Sequence, residues 1–60
     1  MNVNMIIINN KNKNIANQKG VGINVLLAIL DAQDKFLERG FVKYFFDKNY
    51  KIKIDFSGGT

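Results

Sequence analysis

From Tyr50 to Phe56 apolar and charged residues alternate without a break. An extended chain puts Tyr50, Ile52, Ile54 and Phe56 on one side and Lys51, Lys53 and Asp55 on the other. Just upstream, Phe41 to Phe46 is aromatic and β-branched, the composition of a strand. Asp47-Lys48-Asn49 between them forms a short polar turn in which Asn49 tolerates the left-handed conformation. The pattern predicts a β-hairpin over residues 41–56. Residues 23–39 predict a helix, with Asn24 as N-cap, Gly40 as a left-handed C-terminal cap and Arg39 opposing the dipole in the last turn. Its first half, Val25 to Leu30, is apolar all round and predicts cover on more than one side, while its second half is amphipathic.

Residues 1–8 predict a third strand, built on Val3 to Ile8. Residues 9–22 predict a basic, polar loop with two glycines, since the run Asn9 to Asn14 cannot build a core. Residues 57–60 predict a flexible tail. The expected fold is one small α+β domain: a three-stranded, mostly antiparallel sheet with one packed helix, in the order β-loop-α-β-β.

Composition adds a constraint on stability. The chain is 47% hydrophobic yet has no cysteine, histidine or proline. A domain of about 60 residues encloses only about 60% of the surface its unfolded chain exposes. Disulfides and the usual structural zinc are excluded by the missing residue types, so association is the remaining stabiliser. Asn, Lys, Ile and Phe make up half the chain, a bias that fits a low-GC genome. The formal charge is +4, concentrated at the two ends: Lys11, Lys13 and Lys19 meet no acid before Asn24, and Lys43, Lys48, Lys51 and Lys53 face only Asp47 and Asp55 after Gly40. Such a surface attracts nucleic acid or anionic membrane in a salt-sensitive way. Gly20 to Leu30, an uncharged stretch, is too short to span a bilayer, and Met5 to Ile8 is too short for a signal-peptide core. The expected location is intracellular, in cytoplasm or an organelle matrix, without secretion.

Candidate chemistry is sparse. The commonest general base and the strongest nucleophile are absent, so no catalytic residue is assigned and no enzyme is expected. Asp31 and Asp34 share a helix face but lie among Lys35, Glu38 and Arg39, a solvated charge run, so neither a metal nor a cofactor is expected. What remains is the lysines. Lys11, Lys13 and Lys19 lie in the expected arm, and Lys43, Lys51 and Lys53 on the expected hairpin beside Phe41 or Phe45, where ammonium groups hold a nucleic-acid backbone and rings stack bases. The competing reading of Lys51 and Lys53 is a guard on an edge strand.

Two segments resemble known families. Ile15-Ala16-Asn17-Gln18-Lys19-Gly20-Val21-Gly22 resembles the start of the variant P-loop of ParA-like plasmid-partition ATPases, and Tyr50 to Gly58 loosely echoes that family's second strand, ending in an Asp, here Asp55. The resemblance implies a phosphate loop at Gly20 and Gly22. One glycine is missing, however, and Ile23 and Asn24 stand where the family has its phosphate-binding lysine and magnesium-binding threonine. Without them the nucleotide's charge and the Mg²⁺ lack their partners, leaving at most an inactive remnant. Separately, Phe36-Leu37-Glu38-Arg39-Gly40-Phe41-Val42-Lys43 followed by Tyr50-Lys51-Ile52-Lys53-Ile54 looks like the N-terminal half of the eighth small-subunit ribosomal protein family. That resemblance implies binding of ribosomal RNA; the chain lacks the family's aliphatic-Lys-Tyr ending and its C-terminal half.

The functional expectation is a non-enzymatic, basic component of a ribonucleoprotein, ribosomal in kind. It binds RNA phosphates through lysines and packs apolar faces on protein neighbours or on itself. It involves no membrane and no small-molecule substrate. Two alternatives stay open: a homo-oligomeric or host-protein-binding accessory module of phage type, and the nucleotide-binding remnant.

Overall fold

In the computed structural model residues 1–56 are described; the expected tail at 57–60 lies outside them. The elements run β1 (Asn2–Asn9), β2 (Asn14–Val21), α1 (Val25–Glu38), α2 (Val42–Phe46) and β3 (Tyr50–Asp55). The sheet is antiparallel throughout, in the order β2-β1-β3. The α+β class, the three strands and the one main helix agree with the sequence expectation. The order of elements does not: the chain reads β-β-α-α-β.

Two corrections account for the difference. Residues 9–22 are not a loop but the turn and second strand of an N-terminal hairpin. Asn9 organises the turn: its Oδ1 accepts the N–H groups of Lys11 and Lys13 at 2.9 Å each, and Asn12 takes φ 62°. Asparagine tolerates that left-handed conformation and bonds its own turn backbone, so the polar run is turn-forming chemistry. A bulge between Ile7 and Ile8 then resets the register, with Ile7 opposite Ala16 and Ile8 opposite Asn14.

The second correction concerns the expected hairpin over 41–56. Its first arm is α2, and only Tyr50–Asp55 is strand. Strand alternation would send Lys43 inward together with Phe41 and Phe45. The helical turn instead gathers Phe41, Tyr44 and Phe45 on one side, half-buried, and leaves Val42, Lys43 and Phe46 outside. Phe36 on α1 receives two of these rings, with centroids at 5.7 Å from Phe41 and 6.0 Å from Phe45. Tyr44 meets Tyr50 edge-on at 4.7 Å, which joins α2 to β3. The break at 47–49 therefore turns a helix into a strand: Asp47 Oδ1 accepts from Asn49 N at 2.9 Å and Asp47 O from Tyr50 N at 3.1 Å.

Helix α1 ends as expected. Asn24 is extended and its Oδ1 accepts the Leu27 N–H at 2.9 Å. At the other end Gly40 has φ +80°, with Gly40 N bonded to Leu37 O and Phe41 N to Phe36 O. This is the paired-bond termination that a left-handed glycine permits. The burial of α1 differs from expectation. Its inward residues are Ala28, Ala32 and Phe36, while Leu26, Leu27, Leu30 and Leu37 are exposed, Leu26 at 66%. Among the described residues cover comes from one side only. The helix meets the sheet at Val3, Met5 and Ile7 of β1, which with the three inward helix residues form the core.

Candidate nucleic-acid interface

Strand alternation splits β1 into Val3, Met5 and Ile7 under the helices and Asn4, Ile6 and Ile8 on the reverse face. Cross-strand neighbours follow the same face. Lys19 of β2 and Asp55 of β3 flank Asn4, Asn17 and Lys53 flank Ile6, and Lys51 lies opposite Ile8. Both helices lie on the other side, α1 over β1 and β2 and α2 over β3, where Tyr44 meets Tyr50. Among the described residues nothing covers the reverse face. It carries three exposed lysines against one aspartate around the half-buried Ile6 and Ile8.

Of the six lysines predicted to bind RNA, the structure brings Lys19, Lys51 and Lys53 onto this open face. Lys11 and Lys13 sit in the turn at the end where Ile8 pairs with Lys51. Lys43 does not join them. It belongs to α2 in the helical layer, with its Nζ 5.2 Å from the Tyr44 ring centre. Phe41 and Phe45 also depart from expectation: both turn toward Phe36, so neither lies beside Lys51 and Lys53. The open face presents asparagine amides and isoleucines in place of rings. Asn4, Asn17, Ile6 and Ile8 went unassigned by sequence because the run Met5-Ile6-Ile7-Ile8 hides the alternation that divides it.

Gly20 and Gly22 have a role unlike a phosphate loop. Ala16 to Gly20 is strand, and a Cβ placed on Gly20 would meet Ala28 O and lie 2.7 Å from the Cβ of Ala32. One at Gly22 would lie 2.5 Å from Ala28 N. The glycines let α1 rest on β2. At that junction the anion is already part of the protein: Asp31 Oδ2 accepts the Val21 N–H at 2.8 Å and pairs with Lys35 Nζ at 3.0 Å. The Val21 bond, aided by Lys35, holds the Asp31 carboxyl below the usual aspartate range. A second anion there would face this carboxylate.

A lowered folded-state pKa stabilises the protein above the unfolded carboxylate's range, and the contribution disappears as pH falls through the folded value. Asp31→Asn keeps an acceptor for Val21 but removes the charge. It is expected to lower the urea midpoint at pH 7, with the gap to wild type closing in acid below the ordinary aspartate pKa. A gap independent of pH would show that the charge contributes nothing.

Arg39 ties the far end of α1 to the same strand. Its Nη1 donates to Asn17 O and Gln18 Oε1 at 3.0 Å each, and its guanidinium lies 4.7 Å from the Phe41 ring centre. Among the described residues the surface opens no pocket, and no cluster of three or more His, Cys, Asp or Glu is placed to hold a metal ion. No helix among them is long and apolar enough to cross a membrane. No family model, curated protein or solved structure matches the chain.

Proposed function

We propose that the chain is a non-enzymatic RNA-binding component of a ribonucleoprotein, contacting the RNA backbone through the open sheet face. The observation that carries this reading is the grouping of Lys19, Lys51 and Lys53 on an uncovered face, with Lys11 and Lys13 at its end. Lysine ammoniums neutralise phosphates as point charges, and the side-chain amides of Asn4 and Asn17 offer donors and acceptors to exposed base edges. With no ring on this face, base stacking is a minor contribution and affinity is dominated by counterion release. The reading rests on this face and on neither family resemblance; the segment that carries the ribosomal one is a helix followed by a strand and not the expected hairpin.

A second reading is favoured by the leucines of α1. Ile23 (88% exposed), Leu26, Leu30 and Leu37 give a domain of this size an apolar stripe on its outer layer, fit for a protein neighbour or an accessory-module role.

Binding of a fluorescent single-stranded RNA across a salt series tests the first reading. Lys51→Gln with Lys53→Gln is expected to weaken binding and to flatten the log K against log salt slope by about 1.4, since each phosphate left without its lysine removes about 0.7. Lys43→Gln, on the helical layer, is expected to leave that slope unchanged. An unaltered slope in the double variant, or equal losses from Lys43→Gln, removes the open face as the binding surface.

A further inference from the structure

The two edges of the sheet are finished differently. The outer edge of β2 is bonded by side chains: Arg39 to Asn17 O at 3.0 Å, Gln18 Nε2 to Lys19 O at 3.2 Å, and Asp31 to Val21 N at 2.8 Å. These bonds consume main-chain groups that a foreign strand would need. The outer edge of β3 has no such closure among the described residues; beyond the turn bond of Tyr50 N to Asp47 O, its outward groups are unpaired. We propose that β3 is a self-pairing edge, on which a second copy of this chain adds its own β3 antiparallel about a twofold axis perpendicular to the sheet.

Charge selects both the occupant and the register. Such a twofold keeps each copy's helices on the same side, so residues facing each other across it belong to the same face. Centring the axis on Ile52 sets Lys51 against the partner's Lys53, twice. Centring it on Lys53 lets Lys51 face the partner's Asp55 twice but sets Lys53 against itself, and centring it on Asp55 sets that aspartate against itself. With the axis at Ile54, Lys53 faces the partner's Asp55 twice, Ile54 meets its own copy, and Ile52 meets the partner's Phe56. No like charges then oppose each other. Phe56 is 54% exposed directly after β3, so this register also covers an apolar side chain that the single chain leaves in water. The lysines that repel most strands thus admit one. Pairing joins the two sheets into six strands and the two lysine faces into one, although it does not depend on RNA binding.

Sedimentation equilibrium of the full chain, up to about 100 µM, covers the range of a small transient interface. Wild type is expected to show a monomer–dimer equilibrium. Asp55→Lys, which places four lysines around the axis, is expected to raise the dissociation constant about tenfold or more. Asp55→Lys combined with Lys53→Asp exchanges the two charges and is expected to return it to within about threefold of wild type. Both variants are expected to remain folded, since their substitutions lie on the solvent-facing side of β3, and circular dichroism checks this. A wild type that stays monomeric overturns the proposal. So does a dimer indifferent to Asp55→Lys, which would put the interface elsewhere, such as the α1 leucines. Failure of the charge exchange to restore pairing overturns it as well.

Discussion

Gly20→Ala is expected to destabilise the domain by about 3 kcal/mol or more, enough to leave much of the chain unfolded at 25 °C. The added methyl has nowhere to go. It would meet Ala28 O on the helix backbone and lie 2.7 Å from both the N and the Cβ of Ala32. None of these atoms sits at the end of a rotatable side chain, so α1 must lift from β2. Overpacking costs about 1–3 kcal/mol where side chains can adjust, and more where backbone must move. A single core of this size supplies only about 3–5 kcal/mol in total. Gly40→Ala provides the comparison. At φ +80°, with nothing among the described residues beyond its chain neighbours within 4 Å of an added Cβ, it carries only the left-handed penalty of about 1–2 kcal/mol. Urea titrations of the two variants should rank Gly20→Ala well below Gly40→Ala. Near-wild-type behaviour of Gly20→Ala would mean that the helix does not rest on this strand.

The same tight seat explains why β2 is invisible in the sequence. Its inward residues, Ala16, Gln18 and Gly20, are small or polar, whereas a strand is recognised by large apolar residues in alternation. The large residues went elsewhere. When alanines and a glycine form the seat, α1 comes close, and the leucines that hydropathy would assign to the core are left on the outer side. Apolar periodicity reports where greasy residues recur but does not distinguish a face that buries small residues from one that exposes large ones. The caps were legible because their chemistry is local: Asn24 and Gly40 act on backbone within a few residues of themselves. So was the fault-free alternation of β3, although its partner is β1 and not the neighbouring aromatic segment.

The candidate site was legible in its charges and illegible in its geometry. Lys51 and Lys53 share a face by strand period alone, which the sequence shows directly. Lys19 joins them only because β2 lies on the far side of β1, a tertiary fact. Lys43 leaves them because α2 is helical, against the strand propensity of its own residues. What decided that segment is Phe36, fully buried beneath the rings of Phe41 and Phe45, which reach it together only from a helical turn.

Phe36→Ala is therefore expected to abolish folding. Truncating a fully buried phenylalanine costs about 3–5 kcal/mol, the whole margin of a core this small. Phe36→Leu separates the two jobs of the residue. It retains most of the volume beneath α1, at a cost of about 1.5 kcal/mol or less, but removes the ring against which α2 is laid. Hydrogen exchange on this variant should show early loss of protection at Tyr44 N, bonded to Phe41 O, while the β1–β2 ladder stays protected. β3 is expected to respond next, since Tyr50 is held from above by Tyr44 at 4.7 Å. Lys51 and Lys53 sit on that strand, so loosening it disperses the lysine face without touching a lysine, and RNA affinity should fall in step with Tyr44 protection. Unchanged protection at Tyr44 in a folded Phe36→Leu protein would show that β3, and not α1, holds α2 in place.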